Sequence, residues 1–370
     1  MRFSCTQENL IHALNLVSRV AARAGNLPIL SNIHIRVEAD GVFLKTTNLE
    51  VGVTCRLRGK VDEVGEFTVP AKLFSDYISS LPKDKIDVVL KDQTLTVACG
   101  KHQTKIKGMP AADFPLIPGI EEGVERTVSL PALLEGLEQV LFAISATETR
   151  PEISGALLAL EGNHLVLAGT DSYRLTEKTL LAEGKDNKDL RVIVPLRALQ
   201  ELSRICALVK EESGSAKVVV SANQLALTLP SVEFVSRLIE GQYPDYKAIV
   251  PTRFGAQATV SRSEFASAIR AAGLFSKAGI YDIAVMLDPD KSEVSVAALN
   301  SQTGEYDSAI TSEVQGIGVK IAFNWKYLLE GVQALKGEKI TLKATDSSSP
   351  TMLTEEGSSD YFYIVMPIKE

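Results

Sequence analysis

FTVPAKLFSDYI, residues 67–78, reads as a short apolar strand that runs through a proline into the first turn of a helix. Proline suits that turn, because its missing N–H would have no intrahelical acceptor anyway. The pattern returns as VIVPLRALQEL at 192–202 and as IAFNWKYLLEG at 321–331, so Pro70, Pro195 and Asn324 mark equivalent positions 125 and then 129 residues apart. Each copy carries a cation early in its helix: Lys72, Arg197 and Lys326. A repeat of this kind sets the architecture before any single residue is interpreted.

Other features keep the same interval. A helix is expected after Ser4, Ser129 and Ser261, and Ser261 with Glu264 forms a capping box. A strand–turn–strand unit recurs in VFLKTTNLEVGVTCRL, HLVLAGTDSYRLTEKTL and EVSVAALNSQTGEYDSAI. Helical spacing places Leu10, Leu14, Val17 and Ala21 on one face, with matching stripes in the other windows. Runs such as KIDVVLKDQTLTVAC alternate with period two, as strands do. The expected fold is α+β: three similar domains, over 1–120, 121–253 and 254–370, each with two helices packed on antiparallel sheets. Proline and glycine cluster at the joints, near 117–126 and 250–257.

The 370 residues are 45% hydrophobic and 23% charged, as in soluble globular proteins. No run of apolar residues is long enough to span a membrane, and MRFSCTQENL lacks the apolar stretch of a signal peptide, so a cytoplasmic setting is expected. The four cysteines form no CxxC pair and read as reduced core residues. Histidines 12, 34, 102 and 164 are scattered, so neither a metal nor a cofactor is expected.

A net charge of −7 argues against a nucleic-acid partner, but its distribution does not. The six expected helical windows hold fifteen Lys or Arg against ten Asp or Glu, which leaves −12 for the rest of the chain. Basic helices backed by acidic sheets attract a phosphate backbone from one side only. With no recognition-helix pattern, such contact would be independent of base sequence.

The ordered set LPILSN (27–32), FTVPAKLFSDYISSLP (67–82), MPAADFP (109–115), TETRPEISGALL (147–158), TDSYRL (170–175), VIVP (192–195), YPDYKAIVP (243–251), FN before Tyr327, and VMPI (365–368) resembles the bacterial DNA polymerase III beta subunit, the DNA sliding clamp family, along the full length. The resemblance implies a head-to-tail homodimer whose six domains form a ring, with twelve helices lining a pore around duplex DNA. Members raise polymerase processivity and are not catalysts. Implied partners are the replicative polymerase alpha subunit, the clamp-loader complex, translesion polymerases and mismatch-repair proteins, which dock through short linear peptides.

The resemblance also assigns residues. Arg23, Lys72, Arg150, Arg197 and Arg204 would touch DNA, although Arg23 is offset by one position and Arg150 precedes Pro151 and Glu152, where some members have aromatics. A hydrophobic peptide cleft would be lined by Ile153, Thr170, Ser172, Tyr173, Arg174, Leu175, Pro244, Ala248, Ile249, Asn324, Tyr327, Met366, Pro367 and Ile368. Read by residue type alone, Ile153 and Leu175 suit core packing equally well. Leu73 and Ile106 of one copy would meet Leu274 and Phe275 of another. Two departures, Ala248 and the acidic MPIKE, bear on which peptides the cleft prefers.

Two other classes compete. An enzyme would need G-x-S-x-G, a phosphate-binding loop or H-E-x-x-H, and the sequence has none of them. A three-repeat protein scaffold that never touches DNA is the remaining alternative.

Overall fold

The computed structural model describes residues 1–21, 27–115, 119–120, 122–147, 149–184, 188–209 and 214–369. Among them are six α-helices: α1 (Gln7–Ala21), α2 (Ala71–Ser80), α3 (Leu130–Leu141), α4 (Leu196–Val209), α5 (Arg262–Gly273) and α6 (Trp325–Ala334). Three of them, α2, α4 and α6, begin directly after Pro70, Pro195 and Asn324. The first proline stands at the cap of α2, one residue before its first turn. Ser261 caps α5 as expected, accepting from the Glu264 amide at 3.5 Å. The helix expected after Ser4 is α1, with Thr6 rather than Ser4 as the residue next to it. Ser4 lies in the strand Arg2–Thr6, and α1 starts at Gln7, where the Thr6 hydroxyl accepts from the Asn9 amide at 3.2 Å.

The chain forms two compact units. Unit 1 contains residues 1–131, 182–188 and 197–238; unit 2 contains 132–181, 189–196 and 239–370. The middle repeat contributes to both, and strand pairing explains why. In unit 1 an antiparallel ladder runs through Gly65–Pro70, Asn32–Glu38, Gly41–Thr47 and Val51–Leu57 of the first repeat. It continues into Val232–Arg237, Gln224–Thr228, Ser215–Val220 and Val124–Ser129. In unit 2, Gly155–Glu161, His164–Thr170 and the strand starting at Arg174 continue into Tyr361–Val365, Thr351–Glu355 and Lys339–Ala344. Each junction between repeats is therefore a main-chain ladder. The five-stranded sheet of unit 1 ends at His102–Lys107, and the four-stranded sheet of unit 2 ends at Gly304–Thr311.

Packing follows the sequence stripes. Leu10, Leu14, Leu16 and Val17 of α1 are fully buried, and α1 packs on the strands Gly41–Thr47 and Val51–Leu57. In unit 2 the helix α5 packs on α6. Gly331 lets α6 approach Tyr363, since a Cβ there would meet the ring at 2.1 Å. All four cysteines are buried and outside disulfides, and burial pushes the Cys5 and Cys206 thiols up to about 12.

Candidate functional site

The turn in GTDSYRL is built by its own side chains. The Asp171 carboxylate accepts from the Tyr173 and Arg174 amides at 2.9 and 3.1 Å. The Thr170 hydroxyl donates to the Arg174 carbonyl at 2.6 Å and accepts from the Ser172 amide at 3.1 Å. Ser172 takes φ 80°, left-handed backbone that a short polar residue tolerates better than most. The segment after the strand Tyr361–Val365 is fastened to this hairpin, with the Met366 amide donating to the Tyr173 carbonyl at 2.9 Å.

Arg174 organises the surroundings. Its guanidinium donates to Asp171 at 2.9 Å, to the Phe142 carbonyl at 2.6 Å and to Glu330 on α6. It lies 4.5 Å from the centroid of the Tyr327 ring, and Tyr327 in turn stacks on Tyr173 at 6.3 Å. The resemblance lists Arg174 among the lining of a peptide cleft. With its side chain only 10% exposed and all three nitrogens engaged, it positions the hairpin against α6. Burial first, then the Asp171 charge, pushes the Tyr327 phenol above its ordinary value.

Of the other expected cleft residues, Tyr173 and Ile249 are exposed at 63% and 52%. Asn324 caps α6 by accepting from the Lys326 amide at 3.0 Å, and the Ile368 amide donates to the Ala322 carbonyl at 2.8 Å. Leu175 is buried in a cluster with Tyr243, Tyr246, Met352 and Ile364, so it ties the hairpin to the segment that holds Pro244, Ala248 and Ile249. Ile153 is also buried, Pro367 is buried, and Met366 is half-buried. Sequence reading missed Phe142, Glu330 and Tyr363, whose hydroxyl donates to the Tyr327 carbonyl at 2.8 Å. Only their spacing within the repeat could have flagged them.

The strand Tyr361–Val365 is anchored electrostatically as well. The Lys178 ammonium, buried to 7% side-chain exposure, reaches Glu135 at 3.1 Å and Asp360 at 2.9 Å. Burial alone would raise the Asp360 carboxyl, but the Ser358 hydroxyl and Lys178 outweigh it and hold it below the ordinary aspartate value. A carboxyl depressed by folding stabilises above its unfolded pKa and loses that contribution as pH falls through its folded value. Asp360→Asn should therefore melt below the parent at neutral pH, with the gap closing below about pH 4. Thermal melts across that range check it, and a gap independent of pH would exclude the ion pair as its source.

The expected DNA-contact residues divide. Lys72 and Arg197 are exposed at the second position of α2 and α4, and Lys326 holds the same position in α6, 3.6 Å from the Tyr281 ring centroid. Helix dipoles disfavour cations at that end, so this threefold placement costs stability and fits a nearby anion that offsets it. Arg204 is engaged inside unit 1: it pairs with Glu201 and donates to the Asn15 and Leu16 carbonyls at 2.6 and 2.8 Å. Arg150 joins the Asp171 hairpin, donating to the Ser172 hydroxyl at 2.9 Å. Arg23 lies outside the described residues. Leu73 and Leu274 are exposed at 55% and 77%, Phe275 stacks on Tyr306, and Ile106 is buried within its own unit.

The backbone of the hairpin occurs twice. In unit 1 the Asn48 side chain accepts from the Glu50 and Val51 amides, the Thr47 hydroxyl donates to the Val51 carbonyl, Leu49 takes φ 75°, and the Arg237 amide donates to the Glu50 carbonyl at 2.8 Å. The tips differ: Leu49, Glu50 and Val51 stand where unit 2 has Ser172, Tyr173 and Arg174.

Comparison with known proteins accounts for the repeat. Residues 1–118, 127–245 and 247–369 match the family models for the N-terminal, central and C-terminal domains of the DNA polymerase III beta subunit. The chain is similar to a beta sliding clamp of Synechococcus elongatus, at 31% identity over 374 residues covering 100% of this chain and 99% of the relative. A beta sliding clamp of Pseudomonas putida is 29% identical over the full length of both. Among solved structures, a Pseudomonas aeruginosa sliding clamp bound to griselimycin superposes with a TM-score of 0.95 at 28% identity, covering 100% of both chains.

Proposed function

Since the chain belongs to the DNA polymerase III beta-subunit family of sliding clamps, we propose that two copies close head to tail into a ring that holds duplex DNA by enclosure. The protein is a processivity factor of DNA replication, built from three clamp domains with six helices on antiparallel sheets. The reading includes the domain limits 1–120, 121–253 and 254–370. It also treats the protein as a non-catalytic subunit that works on DNA in the cell interior. No helix among the described residues is long and apolar enough to cross a membrane.

One observation carries the DNA side of this reading: a cation at the second position of the equivalent helix in every repeat, Lys72, Arg197 and Lys326. Ring closure is supported by two open sheet edges of opposite charge. His102–Lys107 carries Lys105 and Lys107, while Gly304–Thr311 carries Glu305 and Asp307. An edge strand left with unpaired N–H and C=O groups needs a partner or a guard. Exposed Leu73 and Leu274 supply the apolar surface such a seam would cover.

The surface around Tyr173, Ile249, Tyr327 and Met366 serves as the docking site for short peptides of the polymerase, the clamp loader and repair proteins. Its walls come from the main-chain ladder that joins the second and third repeats. A test of the whole reading is retention on DNA. Protein loaded onto a nicked circle should stay through gel filtration and run off once the circle is cut; equal retention on linear DNA would point to ordinary surface binding instead.

A further inference from the structure

Three cations share one face of the long sheet in unit 1. Register sets Arg36 opposite Phe43 and Phe43 opposite Arg56, with Lys45 one step along, opposite Thr54. Direct and diagonal cross-strand neighbours of this kind lie roughly 5–8 Å apart, close enough for like charges to oppose one another. A cavity of about 280 Å³ opens over them, walled on its far side by the Pro230–Ser231 turn.

Local partners only partly offset the charge. Arg36 pairs with Glu38, and Arg56 donates to the Asp40 carbonyl at 2.6 Å while lying 6.0 Å from the Phe43 ring centroid. Lys45 is half-buried and forms no ion pair among the described residues. Glu38 and Glu233 also border the cavity, which leaves a surplus of positive charge. The imidazole of His34 registers this field. Burial lowers its pKa first and Lys45 and Arg36 add to the fall, against the opposing pull of Glu66.

The cavity is thus lined by three cations against two carboxylates, and an anion seated over them would relieve their mutual repulsion. The alternation of buried Val42, Leu44, Val53 and Cys55 with these residues puts the cavity on the face opposite that core, and α1 packs on these same two strands. DNA phosphates met through the helices would not reach it.

We propose that this cavity binds an acidic peptide segment of a partner protein, its carboxylates held by Arg36 and Lys45 and an apolar side chain laid on Phe43. The volume suits one or two side chains, and guanidinium–carboxylate pairing favours this chemistry. The probe is a fluorescein-labelled peptide of alternating aspartate and phenylalanine, titrated by fluorescence anisotropy with the full chain. Saturable binding is expected, weakened at least about tenfold by Lys45→Glu and by Arg36→Gln, and unaffected by Lys72→Ala on α2. Lys45→Glu should also leave the melting temperature unchanged or higher, because the new carboxylate relieves repulsion between two arginines. Equal affinity in parent and Lys45→Glu would overturn the proposal. So would loss on Lys72→Ala, or tighter binding of a single-stranded oligonucleotide at the same cavity.

Discussion

Arg174→Met should lower stability by about 3 kcal/mol, the scale measured when one member of a buried, hydrogen-bonded charge pair is removed. The substitution keeps much of the apolar stem but leaves the Oδ2 atom of Asp171 and the Phe142 carbonyl without their guanidinium donor in a nearly closed site. For a folding unit of this size the melting temperature should fall by roughly 8 °C. Binding of a polymerase-derived peptide should weaken with it, because Tyr173 and Tyr327 lose the cation that both orients the hairpin and lies over the ring. Glu330→Gln should cost much less, since that carboxylate is half exposed and water replaces its partner. If Arg174→Met melts within about 1 kcal/mol of the parent yet loses the peptide, Arg174 contacts the ligand directly and the positioning role is wrong.

Reversing charge at one sheet edge should break the ring. Lys105→Glu with Lys107→Glu would set like charges against Glu305 and Asp307 of a second copy, which costs several kcal/mol at an interface. At about 4 kcal/mol the dimer dissociation constant rises roughly a thousand-fold. Light scattering should then report the single-chain mass at concentrations where the parent shows twice that. Glu305→Lys with Asp307→Lys should behave the same way alone, and an equal mixture of the two variants should reassociate. A dimer indifferent to both reversals would place the seam elsewhere.

The sequence was most readable where the determinants are local. Pro70, Pro195 and Asn324 mark three strand-to-helix transitions because cap chemistry acts within a turn. The hairpins at Asn48 and Asp171 follow from side chains that bond their own backbone two residues on. Legibility failed where a partner lies far along the chain. Arg204 reads as a free cation on a basic helix, yet its acceptors are the carbonyls of Asn15 and Leu16. Arg174 reads as one more residue of the TDSYRL turn, and its link to Glu330 of another repeat is hidden until the fold is known. The trio around Phe43 is invisible before register is known, because its members sit on three different strands.

The two inter-repeat ladders also impose an order on biosynthesis. Val51–Leu57 finds its partner once Val232–Arg237 has emerged, so the first junction zips while much of the chain is still to be made. The second waits for Tyr361–Val365, the last strand in chain order, and until then the strand beginning at Arg174 has a naked flank. A nascent or prematurely stopped chain thus presents an adhesive border, the kind of exposed strand edge that favours aggregation before synthesis is complete.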